Sequence, residues 1–381
     1  MHSEISFWEQ DTFLDKIDVL IVGGGIVGLN AALQLRAASP NLNITLVERG
    51  SIALGASTKN AGFACFGSMT ELLDDLAQNG EEQMLSLVEK RWKGLLRLRT
   101  RIGDEAMEFN PCGGFEVFGA ADKENYETAM AAMENINRML APIINDQAVF
   151  CPADEQMTKL GLKGFEHLIL NRFEGQIHTG KMMQRLIRLA QAANIQLLNG
   201  VNITRFEEKG KGVDVHTSGN WVLKTKYVLI CTNGFTAQLF PALQVQPARN
   251  QVIITAPIPG LKTKGTFHYN KGYVYFRNVG DRILLGGGRH LFPREETTSS
   301  FGLTEPIQTY LEDFLKTHLL PQGMVNIDLR WSGILGVGDQ KSPIVTQYSD
   351  RIFTAVRLGG MGIAIGSLVG EEAANLVLES I

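Results

Sequence analysis

The chain has 381 residues, 44% hydrophobic and 20% charged, which suits a soluble globular protein and is too long for one compact domain. A formal net charge of −4 gives no global attraction to nucleic acid, and no apolar run is long enough to span a bilayer. Residues 1–16 are polar and acidic, read as an arm or short helix without the pattern of a secretory leader, so a cytoplasmic protein is expected.

Val19–Val22 reads as a short buried parallel strand. Gly23, Gly25 and Gly28 follow in G-x-G-x-x-G spacing, then an apolar helical pattern (Ile26, Val27, Leu29, Ala32, Leu33, Leu35). A second strand, Ile44–Val47, ends at Glu48. Each part is what a dinucleotide site needs. The first glycine makes the turn, the second admits a pyrophosphate, and the third lets helix pack on strand. The helix N-terminus turns free N–H groups and a positive dipole end towards the phosphates, and Glu48 stands where an acid accepts ribose hydroxyls.

An unusual loop, Gly55–Phe63 (GASTKNAGF), comes next, then a long helical pattern over 82–103. Met84, Val88, Trp92, Leu95 and Leu96 form its apolar face. Lys93, Arg97 and Arg101, flanked by Lys90 and Arg99, form a basic stripe, read first as a solvated face and second as a contact for an anionic partner. Gly113–Phe118 reads as a strand and Asp122–Leu140 as a helix. Gly180–Ala193 is a helix feeding the strand Gln196–Leu198. Amphipathic strands at Asn202–Phe206 and Val213–Thr217 precede a buried strand, Tyr227–Cys231, that ends at Thr232-Asn233-Gly234. Gln251–Ala256, Gly272–Arg277 and Arg282–Gly287 are strands, the last two a hairpin through Asn278–Asp281. Arg351–Val356 is a strand running into Leu358-Gly359-Gly360-Met361-Gly362 and a helix to Leu378.

That last element repeats the logic of the first: a strand, close backbone, then a helix N-terminus aimed at something electron-rich. A nicotinamide enzyme has no need of it. A flavoprotein does, because reduction puts negative charge on the pyrimidine edge of the flavin. Four widely spaced cysteines (Cys65, Cys112, Cys151, Cys231) read as reduced thiols, and the seven histidines show no metal-ligand spacing, so no metal is expected.

On DVLIVGGGIVG, Glu48-Arg49, GASTKNAGF, the segment Gly175–Gly234, Trp331-Ser-Gly and LGGMGIAIG at Leu358–Gly366, the chain resembles the FAD-dependent amine and amino-acid oxidoreductases of the D-amino-acid oxidase type. These include glycine oxidase, sarcosine oxidase and gamma-glutamylputrescine oxidoreductase. The arm Ser6-Phe7-Trp8 also resembles the last group. The resemblance implies an α/β fold: a Rossmann-like FAD-binding domain with a parallel sheet, about 1–90, 170–240 and 326–381, and an α+β substrate domain, about 91–169 and 241–325, whose antiparallel sheet roofs the flavin. It implies that Gly23, Gly25 and Gly28 hold the pyrophosphate and Glu48 the adenosine ribose. Ala56, Ser57, Asn60, Ala61 and Gly62 would run along phosphates and flavin, Val201 would meet the adenine, and Thr232, Asn233 and Gly234 the middle of the cofactor. Gly359, Gly360, Met361 and Gly362 would meet the pyrimidine edge, and Ile26, Val27, Arg49, Phe63 and Ile363 flank these contacts. The implied chemistry is hydride transfer from the amine-bearing carbon to flavin N5, leaving an imine that water hydrolyses, with oxygen or another acceptor taking the electrons.

Departures from the family bear on the substrate. No arginine follows Trp331-Ser-Gly to clamp a carboxylate, no lysine stands in Ile283-Leu284-Leu285 to activate oxygen, and no cysteine precedes Asp339 to link the flavin. Non-covalent FAD and a small amine or N-substituted amino acid are therefore expected. Period two on the strand through Arg277 puts Tyr273, Tyr275 and Arg277 on one face, with Arg289 at the end of its partner, as candidate substrate-facing groups. Two alternatives stand beside this reading. One is a flavin-binding protein without turnover. The other is an oxidoreductase acting on a modified tRNA base, which the net charge opposes.

Overall fold

The computed structural model describes residues 5–320 and 326–381; residues 1–4 of the expected arm lie outside them. The arm forms one turn of helix at Phe7–Glu9, capped by Ser6 and Glu9, running into Gln10–Leu14.

Two eight-stranded sheets organise the described residues. In the first, five strands run parallel in the order Ile352–Val356, Val222–Ile230, Ile17–Val22, Ile44–Glu48, Gln196–Asn199. Val19, Leu20 and Ile21 are wholly buried, as strands covered on both faces must be. Ile344–Gln347 adds an antiparallel edge, and a meander of Ile203–Lys209 and Gly212–Thr217 joins through the start of Val222–Ile230. The helices Ile26–Ala38 and Gly362–Leu378 pack on one another across glycines. A Cβ at Gly370 would stand 2.7 Å from the Val27 carbonyl oxygen, and one at Gly366 2.8 Å from the Ile26 side chain.

The second sheet runs Ile327–Val337, Gln246–Thr255, Arg282–Gly287, Val274–Val279, Thr266–Tyr269, Gly114–Phe118, His167–Asn171, Phe150–Pro152. Its pairings are antiparallel, as expected, with one parallel pair, Thr266–Tyr269 against Gly114–Phe118. The strand Ile327–Val337, which carries Trp331-Ser-Gly, pairs with Gln246–Thr255 and belongs here. The return to the first sheet thus comes at Ile344 rather than near 326.

The helix Glu81–Ile102 crosses the expected boundary at 90 without a break. Leu95 and Leu98 enter the core of the first sheet's helices, while Met84 and Val88 face the helix Lys123–Ile144. Leu96, expected on the apolar face, is exposed, and Arg91 is buried in ion pairing with Glu71 at 3.2 Å. The helix Lys123–Ile144 runs past its expected end at Leu140 and contains Pro142, ending at Asn145 in the left-handed region.

Candidate active site and cofactor cavity

Two cavities, about 320 Å³ and about 400 Å³, meet at Ala56, Asn60, Leu335, Gly360 and Ile363. Together they make one trough from the carboxyl ends of the parallel strands to the underside of the second sheet.

The dinucleotide fingerprint lines the first cavity. Gly23, Gly25, Ile26 and Val27 are on its wall, while Gly28 lies beneath. A Cβ on Gly28 would collide with the Gly23 carbonyl, so this glycine serves helix-on-strand packing. Gly23 has φ +118, and a Cβ there would lie 2.6 Å from the Cys231 carbonyl oxygen. Glu48 is buried. Its Oε2 accepts from Gly24 N at 3.0 Å and its Oε1 from Gly50 N at 3.0 Å. The carboxylate thus fixes the turn on which a ribose would rest. The Arg49 guanidinium stacks over Phe235, 3.7 Å from the ring centroid, and burial lowers its pKa against the opposing pull of Glu48. Val201 also lines this cavity.

The loop Gly55–Phe63 is built from its own side chains. Ser57 Oγ accepts from Ile26 N at 2.9 Å, which ties the loop to the first helix. Asn60 is spent internally: its amide donates to the Ala56 and Ser57 carbonyls, and its Oδ1 accepts from Gly62 N at 2.8 Å and Thr179 Oγ at 3.0 Å. Trp331 Nε1 donates to the Lys59 carbonyl at 2.9 Å, so the Trp-Ser-Gly motif holds this loop from above. Ala61, Gly62 and Phe63 line the second cavity.

At the opposite end, Gly359 (φ +58) and Gly360 (φ +88) turn the chain into the helix Gly362–Leu378. Gly359, Gly360, Met361 and Ile363 line the second cavity, and Gly362 the first. The first turn of each helix offers N–H groups without intrahelical partners. Thr232 and Asn233 line the first cavity, where Asn233 Oδ1 accepts from Arg357 N and Leu358 N at 3.1 and 3.2 Å and so fixes the glycine turn. Gly234 is a correction. It packs against the Leu335 carbonyl, where any side chain would clash, and does not line the trough.

The substrate-facing candidates divide. Tyr275 and Arg289 line the second cavity, as does Tyr273, which is 40% exposed at its mouth and stacks on His290. Arg277 does not face substrate. It is 7% exposed, and its Nη1 donates to the carbonyls of Ala61 (3.1 Å), Gly62 (2.9 Å) and Ile177 (2.9 Å). Burial lowers its pKa to about 10, leaving it a cation at neutral pH. The period-two reading gave the right face, but that face turns onto the Gly55–Phe63 loop before it reaches open space.

Sequence reading missed a buried polar cluster below the second cavity. It gathers Cys65 and Glu71, Glu116, Glu174 and His268 from four separate stretches of chain, and Cys65, Glu71 and His268 reach the cavity wall. Only burial distinguishes these residues, and one sequence carries no signal of that. Sγ of Cys65 and the polar atoms of Glu174 and His268 lie within 4.8 Å of one another. Burial, then Glu174 and Glu71, push the Cys65 thiol well above its ordinary pKa, so it stays neutral; its Sγ donates to Met361 Sδ at 3.5 Å, while His268 and Glu174 bond to each other. All four cysteines are free.

The basic stripe is a largely solvated face whose charges are partly spent on ion pairs: Lys93 and Arg97 stay exposed, while Arg101 is mostly covered. Arg101 and Arg97 pair with Glu371 at 2.7 and 3.2 Å and Lys90 with Glu372 at 3.2 Å, both acids on the last helix. Lys93 pairs with Glu89 and Arg99 with Asp104.

The glycines, the two helix N-termini and the buried acid fit a long dinucleotide. Residues 18–376 match the family of FAD dependent oxidoreductases called DAO. The chain belongs to that family. It is an FAD-dependent oxidoreductase. It is similar to a probable oxidoreductase, OrdL, of Rhizobium meliloti (26% identical, covering 95% of this chain and 83% of the relative). The gamma-glutamylputrescine oxidoreductase of Escherichia coli is 24% identical, with 96% and 85% covered. Among solved structures, iminodiacetate oxidase of Chelativorans sp. BNC1 shares the fold at TM-score 0.76 and 16% identity, with 95% of each chain covered. No helix among the described residues is long and apolar enough to cross a membrane.

Proposed function

We propose that the protein oxidises a C–N bond of a small primary or secondary amine that carries a carboxylate, giving an imine that hydrolyses. Bound FAD supplies the hydride acceptor at the junction of the two cavities. Gly25–Val27, Glu48 and the turn Gly359–Gly362 would hold it without a covalent bond. The observation that carries the substrate reading is a convergence in the second cavity. Arg289 is half-buried, and its guanidinium has no hydrogen bond or ion pair among the described residues. Tyr275 OH accepts from Asn250 Nδ2 at 2.9 Å, which leaves its own proton to donate. Asn250 Oδ1 is buried without a partner. A cation and a hydroxyl donor suit a carboxylate, and an orphaned amide oxygen suits an N–H, because leaving it unpaired costs about 1–3 kcal/mol.

Arg289, in the turn after the strand Arg282–Gly287, thus supplies the charge absent after Trp331-Ser-Gly. Val252 and Leu335 in the cavity wall keep water from the reacting carbon. Two of the similar proteins named above carry a substrate in their names, gamma-glutamylputrescine and iminodiacetate, which agrees with this class.

The test is anaerobic reduction of the bound flavin by matched pairs: glycine against methylamine, N-methylglycine against dimethylamine, L-proline against pyrrolidine. The carboxylated partner is expected to reduce faster, and Arg289→Met to erase the difference. Equal rates within every pair would remove the carboxylate from the proposal. Acid precipitation is expected to leave the yellow colour in the supernatant; colour in the pellet would show a covalent link.

A further inference from the structure

The strand Thr266–Tyr269 places His268 opposite Glu116 on one side and opposite Tyr275 on the other. The imidazole lines the second cavity, yet it is only 5% exposed. Its Nε2 lies 3.1 Å from Glu174 Oε2. Glu174 is 1% exposed, and its other oxygen accepts from Phe66 N at 3.0 Å and Gly67 N at 3.2 Å. That carboxylate cannot turn away, so it fixes the ring orientation and puts the ring hydrogen on Nε2. Nδ1 is left with a lone pair and makes no hydrogen bond among the described residues. Phe63 closes the other side of the ring edge-on, at 5.2 Å between centroids, and is itself part of the Gly55–Phe63 loop.

Hydride can leave the amine-bearing carbon only when the nitrogen lone pair is free. An amine that enters as ammonium must first lose a proton, and within the second cavity a carboxylate-anchored imidazole is built to take it. We propose that His268, oriented by Glu174, accepts the substrate's ammonium proton at Nδ1 and so makes the amine competent for oxidation. The proposal rests on the amine reading above. The balance is simple. One N–H bond of the ammonium breaks and the Nδ1–H bond forms. The free amine is then competent to lose its C–H hydride, which FAD, when bound, would accept. The imidazolium returns its proton to water when the product departs. His268 is the catalytic residue of this step and Glu174 a positioning residue.

The surrounding charges favour a strong base. Burial alone would lower the His268 pKa, but Glu174, Glu116 and Glu71 together raise it. Glu116 faces the ring from the neighbouring strand and is held by Ser68 and Thr70. Glu71 approaches from the helix Met69–Asn79, where its charge is shared with Arg91 and Lys341, and the Cys65 thiol is neutral. The raised pKa sets the sign of the pH dependence. Below it His268 is already protonated and cannot act; above it the base form is present.

The experiment compares wild type, His268→Gln and Glu174→Gln, each at full FAD content, with the fastest reductant among glycine, N-methylglycine and L-proline. In wild type the rate of flavin reduction should climb with pH through one ionisation and then level. His268→Gln should lower the rate about 10²–10³-fold at neutral pH, the scale of general-base catalysis. It should recover towards wild type as pH rises through the substrate's own ammonium pKa, where free amine accumulates. Glu174→Gln should move the wild-type ionisation to lower pH. A readout without turnover uses 2-aminoisobutyrate, which has no hydrogen on its α-carbon. Calorimetry in buffers of different ionisation enthalpy should find less proton release on binding to wild type than to His268→Gln.

A His268→Gln loss that is the same at every pH would mark a structural role and overturn the proposal, as would an unchanged profile. Should that variant fail to hold FAD, an unmoved ionisation in Glu174→Gln overturns it instead. A wild-type flavin that none of the three amino acids reduces would sink the amine reading itself, while a reduced wild type with unaffected variants sinks only the role of His268.

Discussion

At the residue scale, several positions in the trough act through another part of the chain. Glu48 was read as a ribose ligand, and it also holds the backbone on both sides of itself through Gly24 and Gly50. Glu48→Gln keeps the shape and removes the charge, so it should weaken FAD retention by roughly 1–3 kcal/mol, the scale of one charge-assisted hydrogen bond. Fluorescence titration of apoprotein with FAD measures this, and an unchanged Kd would show that the carboxylate only shapes the turn. Arg277 presents the opposite case. Its three carbonyl partners belong to two segments, and Arg277→Leu takes this donor from all three, leaving the Gly62 carbonyl with Ile177 N alone. A loss of about 3 kcal/mol in urea unfolding is expected. A loss well under 1 kcal/mol would mean that the loop closes without its cation. The sequence could name the face of Arg277 but not its depth, because burial depends on what folds over it.

At the element scale, the glycine-mediated contact between the helices Glu81–Ile102 and Gly362–Leu378 brings the backbones close. A Cβ at Gly94 would strike the Ala364 carbonyl, and Ser367 Oγ donates to the Gly94 carbonyl. Gly94→Val should therefore force the last helix outward, at about 1–3 kcal/mol for overpacking. It should also loosen FAD, although Gly94 lines neither cavity. Matched thermal and FAD-release measurements check this, and a destabilised variant with unaltered FAD affinity would refute the link. The elements that sequence found most readily carry strong local signals. The strand–glycine–helix units at both ends need a tight turn and a buried apolar run, and both show in the residue pattern. The strands Phe150–Pro152, His167–Asn171, Thr266–Tyr269 and Ile327–Val337 gave no such signal. They are short, or they draw their regularity from partners far along the chain, so their pairing is a tertiary property.

At the scale of the whole molecule, the buried cluster ties stability to pH. The folded His268 pKa is raised, so its contribution is fully present below the unfolded value near 6.5 and is lost as pH rises through the folded value. Urea midpoints of wild type should therefore decline as pH rises above that unfolded value, and His268→Gln should lack this decline. Parallel curves for the two proteins would show that the imidazole is not the group responsible. The cofactor trough was legible at its two ends, where glycines announce close approach. Its substrate side was not, because Asn250, Tyr275 and His268 come from three strands, and Arg289 from the turn after a fourth, whose order in the sheet cannot be read along the chain.

The two helices that converge on the trough lie at opposite ends of the chain order, and the strand Ile17–Val22 is joined to Ile352–Val356 only through Val222–Ile230. During synthesis, the fingerprint segment emerges first and must wait for residues 352–378 before its packing partner exists. Its exposed apolar surface is then a burden for chaperones, and flavin capture becomes one of the last events in maturation. A cell short of flavin would accumulate chains complete in sequence but with this final seam poorly sealed, which proteases would recognise at the last helix first.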